Sequence, residues 1–174
     1  MIQVLYPTIS LWLAAILILA AVHKLSDWPR FLAVMAAYDL VSDARLKFAG
    51  VFFIAAEICA AVLLVLMVDA GLSLAGFLFT TYLFAMAYNV VKGKSHIDCG
   101  CGDAPTRIGF YTLGRNFVLI IAAAIAGMLP AYEVTISSYA VGFCLSAIAT
   151  LLYFGFEELS ANKSRHERLW LGAS

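Results

Sequence analysis

Residues 71–91 read GLSLAGFLFTTYLFAMAYNVV, twenty-one consecutive residues without one charged side chain. Wound as an α-helix at about 1.5 Å per residue, the run measures roughly 31 Å. That is the thickness of the hydrocarbon layer of a bilayer, about 30 Å. The stretch before it, residues 48–68, holds a single charge, Glu57, and the stretch at 108–131 holds Arg115 and Asn116. Residues 135–156 form a further apolar run, and residues 7–23 a shorter one that can borrow Leu5 and Tyr6 at its start. Five spans are therefore expected.

Composition points the same way. Apolar residues make up 64% of the 174-residue chain and charged residues 13%, against about 25% charged in a soluble domain. A soluble core of this length could not hide so much apolar surface, and a disordered chain would not carry it. The formal net charge is zero and no basic block exists, so no nucleic-acid partner is expected. Short alternating strands of the outer-membrane barrel type are missing from the pattern. The expected fold is an all-α integral membrane protein, residues 1–174 forming one membrane domain with the lipid bilayer as its surroundings.

Between the first two spans, Ser26-Asp27-Trp28-Pro29 has the form of a helix start: a capping side chain followed by Pro in the first turn. Trp28, Phe31, Leu32 and Met35 recur at helical spacing, which predicts an interfacial amphipathic helix. Residues 157–174 form a more polar C-terminal tail, with Trp170 as an interface anchor.

The positive charges alternate by loop. Lys24, Arg30, Arg45 and Lys47 follow the first span, Lys92, Lys94 and Arg107 follow the third, and Lys163, Arg165 and Arg168 lie in the tail. Ten of the eleven Lys and Arg residues thus fall on one side. The positive-inside rule places those loops in the cytoplasm and the N-terminus outside. The first apolar run lacks the basic start of a signal peptide, so it is expected to be a retained span.

The loop at 92–107 carries Ser95-His96-Ile97-Asp98-Cys99-Gly100-Cys101-Gly102-Asp103. Two cysteines one residue apart, between glycines and in the most polar stretch of the chain, suit thiol–disulfide exchange. A disulfide across a single residue is strained, and strained disulfides are the exchangeable ones. A metal site built from Cys99, Cys101, His96 and Asp98 is an alternative, although zinc ligands are ordinarily spaced wider and paired with a second set. Coincidence is the third reading. Cys59 and Cys144, among apolar neighbours inside spans, read as small hydrophobes.

Arg115 lies about 10 Å into the fourth span and Glu57 about 14 Å into the second, from the same end. A charge at that depth should face the bundle interior, and the two can face each other. Asn116, Asn89, His23 and Lys24 gather at the same end. One reading is a pair that holds helices together. The other is a polar pocket in which Arg115 stabilises a thiolate or the head of a quinone, with Asn89, His23 and Lys24 as further candidates for holding that cofactor.

The first span ending in His23-Lys24, then Phe31-Leu32-Ala33-Val34, Tyr38-Asp39-Leu40, Glu57, Asp98-Cys99-Gly100-Cys101-Gly102 and Arg115-Asn116-Phe117-Val118-Leu119, resemble the MauE family of methylamine-utilisation membrane proteins, grouped with DoxX-like redox-associated proteins. The resemblance covers about residues 8–155. It implies a five-helix protein of the bacterial inner membrane and a role in maturing the disulfide-rich small subunit of methylamine dehydrogenase. It also implies a thioredoxin-like partner of the MauD or TlpA kind and a periplasmic client. Cys99 and Cys101 carry over as the redox pair, and Arg115, Asn116 and Glu57 as the buried polar positions. The alternative is a non-catalytic scaffold, metal-binding or not, that anchors such a partner.

Overall fold

The computed structural model describes residues 2–94, 97, 108–129 and 135–171, with residue 2 and residues 160–171 as backbone alone. The described residues form six α-helices: α1 Ile2–Ser26, α2 Trp28–Tyr38, α3 Asp43–Val65, α4 Asp69–Val91, α5 Phe110–Met128 and α6 Ile136–Leu171. All but α2 are long and apolar enough to cross a membrane. The expected all-α membrane fold with five spanning helices is therefore the fold observed.

Helix α1 is the hub: it packs against α3, α5 and α6 and touches α4, while α4 also packs against α3 and α5. Leu13, Ala14 and Leu17 of α1 meet Ala60, Ala61 and Leu64 of α3, Leu72, Ala75 and Leu78 of α4, and Leu119, Ala123 and Ala126 of α5. Alanine at so many of these contacts lets helix axes approach closely, which matters because lipid tails give apolar side chains no reason to leave them. The outward faces carry Phe48, Phe52, Phe77, Phe84, Phe143, Leu151 and Leu152, all exposed. In a bilayer this apolar surface meets lipid. Pro7 lies inside α1 rather than at its start, and Gly142 of α6 sits against it, where a Cβ would lie 3.1 Å from the Pro7 side chain.

The connection after α1 follows its sequence cues. The Asp27 carboxylate accepts from the Arg30 amide at 3.2 Å and Pro29 stands in the first turn of α2. Asp39 ends the helix in the left-handed region (φ 55°) and donates its amide to Ala36 O. The apolar stripe turns inward: Phe31, with Trp28 and Met35 beside it, packs on Ala21 of α1 and Ile54 of α3. At the other end of the sequence, the helical backbone runs without a break from Ile136 to Leu171. The polar tail thus continues the fifth span as one helix.

Candidate functional site

One end of the bundle collects the polar groups. The last turn of α1 supplies His23 and Lys24, α3 supplies Glu57, α4 supplies Tyr82 and Asn89, α5 supplies Thr112, Arg115 and Asn116, and α6 supplies Glu157. Glu57 is fully buried and Lys24 is 7% exposed. The Lys24 ammonium pairs with Glu57 Oε1, and the Tyr82 hydroxyl donates to the same oxygen at 2.7 Å. Glu57 Oε2 has no hydrogen-bond partner among the described residues. Lys24 Nζ also lies 5.1 Å from the ring centre of Tyr82 and 5.7 Å from that of Phe31, distances at which a ring face attracts a cation.

The second ion pair joins Arg115 of α5 to Glu157 of α6. Glu57 and Arg115 both face the interior, as their depth requires, and they border one small cavity of about 30 Å³ with Lys24, Tyr82, Asn116 and Glu157. That space has room for about one or two water molecules among several polar partners. Sequence reasoning paired Glu57 with Arg115. In the structure Glu57 takes Lys24, and Arg115 takes Glu157. The physical reason is depth: Lys24 sits in the last turn of α1, where its long side chain reaches back into the bundle. Counted by sequence among the loop charges, Lys24 is in fact buried.

Two asparagines serve as braces. Asn89, fully buried, donates to Tyr38 O at 3.3 Å and to Ala85 O at 3.0 Å, tying the end of α2 to α4. Asn116 donates to Thr112 O at 3.2 Å within its own helix. His23 is half-buried at the end of α1.

A larger cavity of about 270 Å³ lies among α1, α2, α3 and α4, with Lys24, Phe31, Met35, Tyr38, Phe53, Tyr82 and Met86 in its wall. Sequence reasoning missed it, along with Tyr82 and Glu157. A tyrosine in an apolar run carries no sign that its hydroxyl is aimed at a carboxylate.

Cys99, Cys101 and His96 lie outside the described residues, so the proposed redox pair and the alternative metal set are not placed. Among the described residues no cluster of three or more metal-ligating side chains occurs. The flanks of the cysteine segment are placed. The Ile108 amide donates to Ile97 O at 3.0 Å, and both side chains are buried against Met86, with Tyr38, Tyr82 and Leu113 around them. These two flanks thus meet each other and rest on the wall of the larger cavity. Cys59 and Cys144 are free thiols on exposed faces of α3 and α6.

The family described as "Methylamine utilisation protein MauE" matches residues 2–130, from α1 through α5. A "Methylamine utilization protein MauE" of Methylophilus methylotrophus is 35% identical over 162 residues, covering 88% of this chain and 82% of the relative. Relatives of the same description from Methylorubrum extorquens (32% identical, 91% of this chain and 90% of the relative) and Paracoccus versutus (31%, 94% of each) match as fully. No solved structure matches. The chain belongs to the MauE family, and so to the membrane proteins of methylamine utilisation.

Proposed function

We propose, from membership of the MauE family, that this protein is a single-domain (residues 1–174) thiol–disulfide oxidoreductase of the bacterial inner membrane. It supports the maturation of a disulfide-containing periplasmic client, the small subunit of methylamine dehydrogenase, together with a thioredoxin-like partner of the MauD or TlpA kind. Cys99 and Cys101 are the exchanging thiols. The observation that supports the reading lies in the flanks of their segment, Ile97 and Ile108, which hydrogen-bond to each other and pack on Tyr82, the residue that also donates to Glu57.

Glu57 is the proton site, since its second oxygen has no partner among the described residues and the residue borders a water-sized space. Arg115, neutralised by Glu157, shapes the local field together with Asn116 rather than offering a bare cation. The charge bias supports a cytoplasmic position for the cysteine segment and an external N-terminus, so the pair would act on the periplasmic client through electrons relayed across the bilayer rather than by direct exchange. A second reading, a non-catalytic scaffold for the thioredoxin-like partner, draws support from the ion pairs themselves, which join α1 to α3 and α5 to α6 and would hold helices together without any chemistry.

Cys99→Ser, Cys101→Ser and the double variant separate the two readings. Each is expressed in cells making the client, and the client's disulfides are counted by alkylation and mass spectrometry. The redox reading expects incomplete client disulfides in all three and a mixed disulfide trapped through the remaining cysteine in the single variants. Full maturation in the double variant, with normal membrane levels, leaves the scaffold. A membrane-impermeant thiol reagent applied to intact spheroplasts fixes the side: labelling at Cys99 would reverse the proposed orientation.

A further inference from the structure

The larger cavity is used by no step of the reading above, and its chemistry is selective. At about 270 Å³ it falls just under the range of roughly 300–1,000 Å³ that encloses a whole drug-sized ligand. It suits the head of a longer lipophilic molecule whose tail stays in the lipid. Aliphatic and aromatic side chains, Val34, Met35, Phe53 and Ala85 among them, form most of the wall. Among the described residues its one cation is Lys24. An ammonium has three N–H donors, and Glu57 takes one of them.

The Lys24 charge is cancelled by Glu57, so the cavity offers hydrogen-bond donors without net positive charge. A phosphate or carboxylate head would enter uncompensated, at the large cost of an unpaired buried charge. A fatty acyl chain would leave the donors unused. A flat, neutral, conjugated ring bearing a carbonyl satisfies both the aromatic walls and the ammonium. We infer that this cavity binds the ring of a membrane-dissolved quinone, with a carbonyl oxygen on Lys24 Nζ.

The described flanks of the cysteine segment add an independent observation. Met86, Tyr38 and Tyr82 line the cavity and also hold the buried base of that segment, Ile97 and Ile108. The electron step rests on the redox reading of Cys99 and Cys101. On closing a disulfide, two thiols give up two electrons and two protons, and a quinone takes up two of each to become a quinol. The exchange balances with no other reagent.

Binding is tested apart from thiol chemistry on the full chain carrying Cys99→Ser and Cys101→Ser, purified in detergent. The probe is a short-chain photoreactive azidoquinone, and labelled peptides are mapped with and without unlabelled quinone. Competed labelling on peptides of α2 and α4 is expected. Ala85→Leu fills the cavity without touching the ion pair and should weaken binding at least about tenfold. Lys24→Met with Glu57→Gln removes the donor without stranding a charge and should weaken it about fivefold, the worth of one hydrogen bond. Uncompeted labelling spread over the lipid-facing surfaces overturns the site. So does labelling that phospholipid displaces equally and that neither variant changes, which would mark a lipid crevice. If the wild-type chain fails to bind while Cys99 and Cys101 still cycle, the cavity inference falls and the redox reading stands. Binding with inert cysteines does the reverse.

Discussion

At the end of the bundle where α3 turns into α4, Leu64, Leu72 and Ala61 close on one another. There Gly71 lies so near α3 that a Cβ would stand 2.8 Å from the Leu64 nitrogen. At the opposite end the same helices hold apart a cavity of about 270 Å³ and bury Glu57 against Lys24. A polar fastening of the first end, Tyr6 donating to Asp69 at 2.9 Å, lies at its exposed rim. In a bilayer neither arrangement gains much from withdrawing apolar surface from lipid, so each depends on another source of cohesion. The first uses small residues and close backbone approach. The second uses charge pairs, which hold only while both partners are present. A tightly packed end has no room for a ligand, whereas an end held by charge can leave space beside it.

The largest effect should come from breaking that second kind of fastening. Lys24→Met strands the Glu57 carboxylate, and breaking a buried pair on one side costs about 3–5 kcal/mol. Adding Glu57→Gln should recover most of the loss, as read by unfolding of the purified protein in mixed micelles. Equal stability of the single and double variants would show that the pair is not holding the helices.

Gly71→Ala attacks the other end. The nearest atoms belong to the backbone of α3 and to Leu63 Cβ, which cannot swing aside, so overpacking should cost about 1–3 kcal/mol. This loss should leave quinone labelling and cysteine cycling unchanged in the protein that remains folded. If cycling falls instead, the two ends are coupled.

The smallest effect is expected at the rim of the polar end. Asp39 meets Lys94 at 3.5 Å with Asp39 exposed and Lys94 half-buried at the surface, and such pairs are worth about 0–1 kcal/mol. Asp39→Asn should be nearly silent, and what little it costs should vanish in high salt. A larger loss would mean that the end of α2 is held by charge rather than by Asn89 reaching Tyr38 O.

How much of this the sequence carried differs between the two ends. Spans are a one-dimensional property: Gly71–Val91 reads as a membrane helix from hydropathy alone, and the structure ends α4 at Val91. The N-cap of α2 is local chemistry and was equally legible in Asp27 and Pro29. Depth identified Glu57 and Arg115 as inward-facing, because a charge that far into a span has nowhere else to go. Their partners were not legible. Pairing depends on how each helix is rotated and on how far a side chain reaches. By sequence Lys24 is a loop charge and Glu157 the start of a tail; the structure buries Lys24 and brings the half-buried Glu157 onto Arg115. Gly71 likewise looked like one more residue of an apolar run. Its close approach to α3 is a property of two helices, not of one.

The central claim is that Cys99 and Cys101 cycle between thiol and disulfide at the charge-fastened end. It is tested most directly by their redox state in living cells. Cultures growing on methylamine are quenched in acid, free thiols are alkylated with one reagent, disulfides are reduced and alkylated with a second, and the peptide carrying both cysteines is quantified. The account predicts a mixture of the two states that shifts toward one of them when client synthesis is stopped. A pair that stays wholly reduced under both conditions would contradict it.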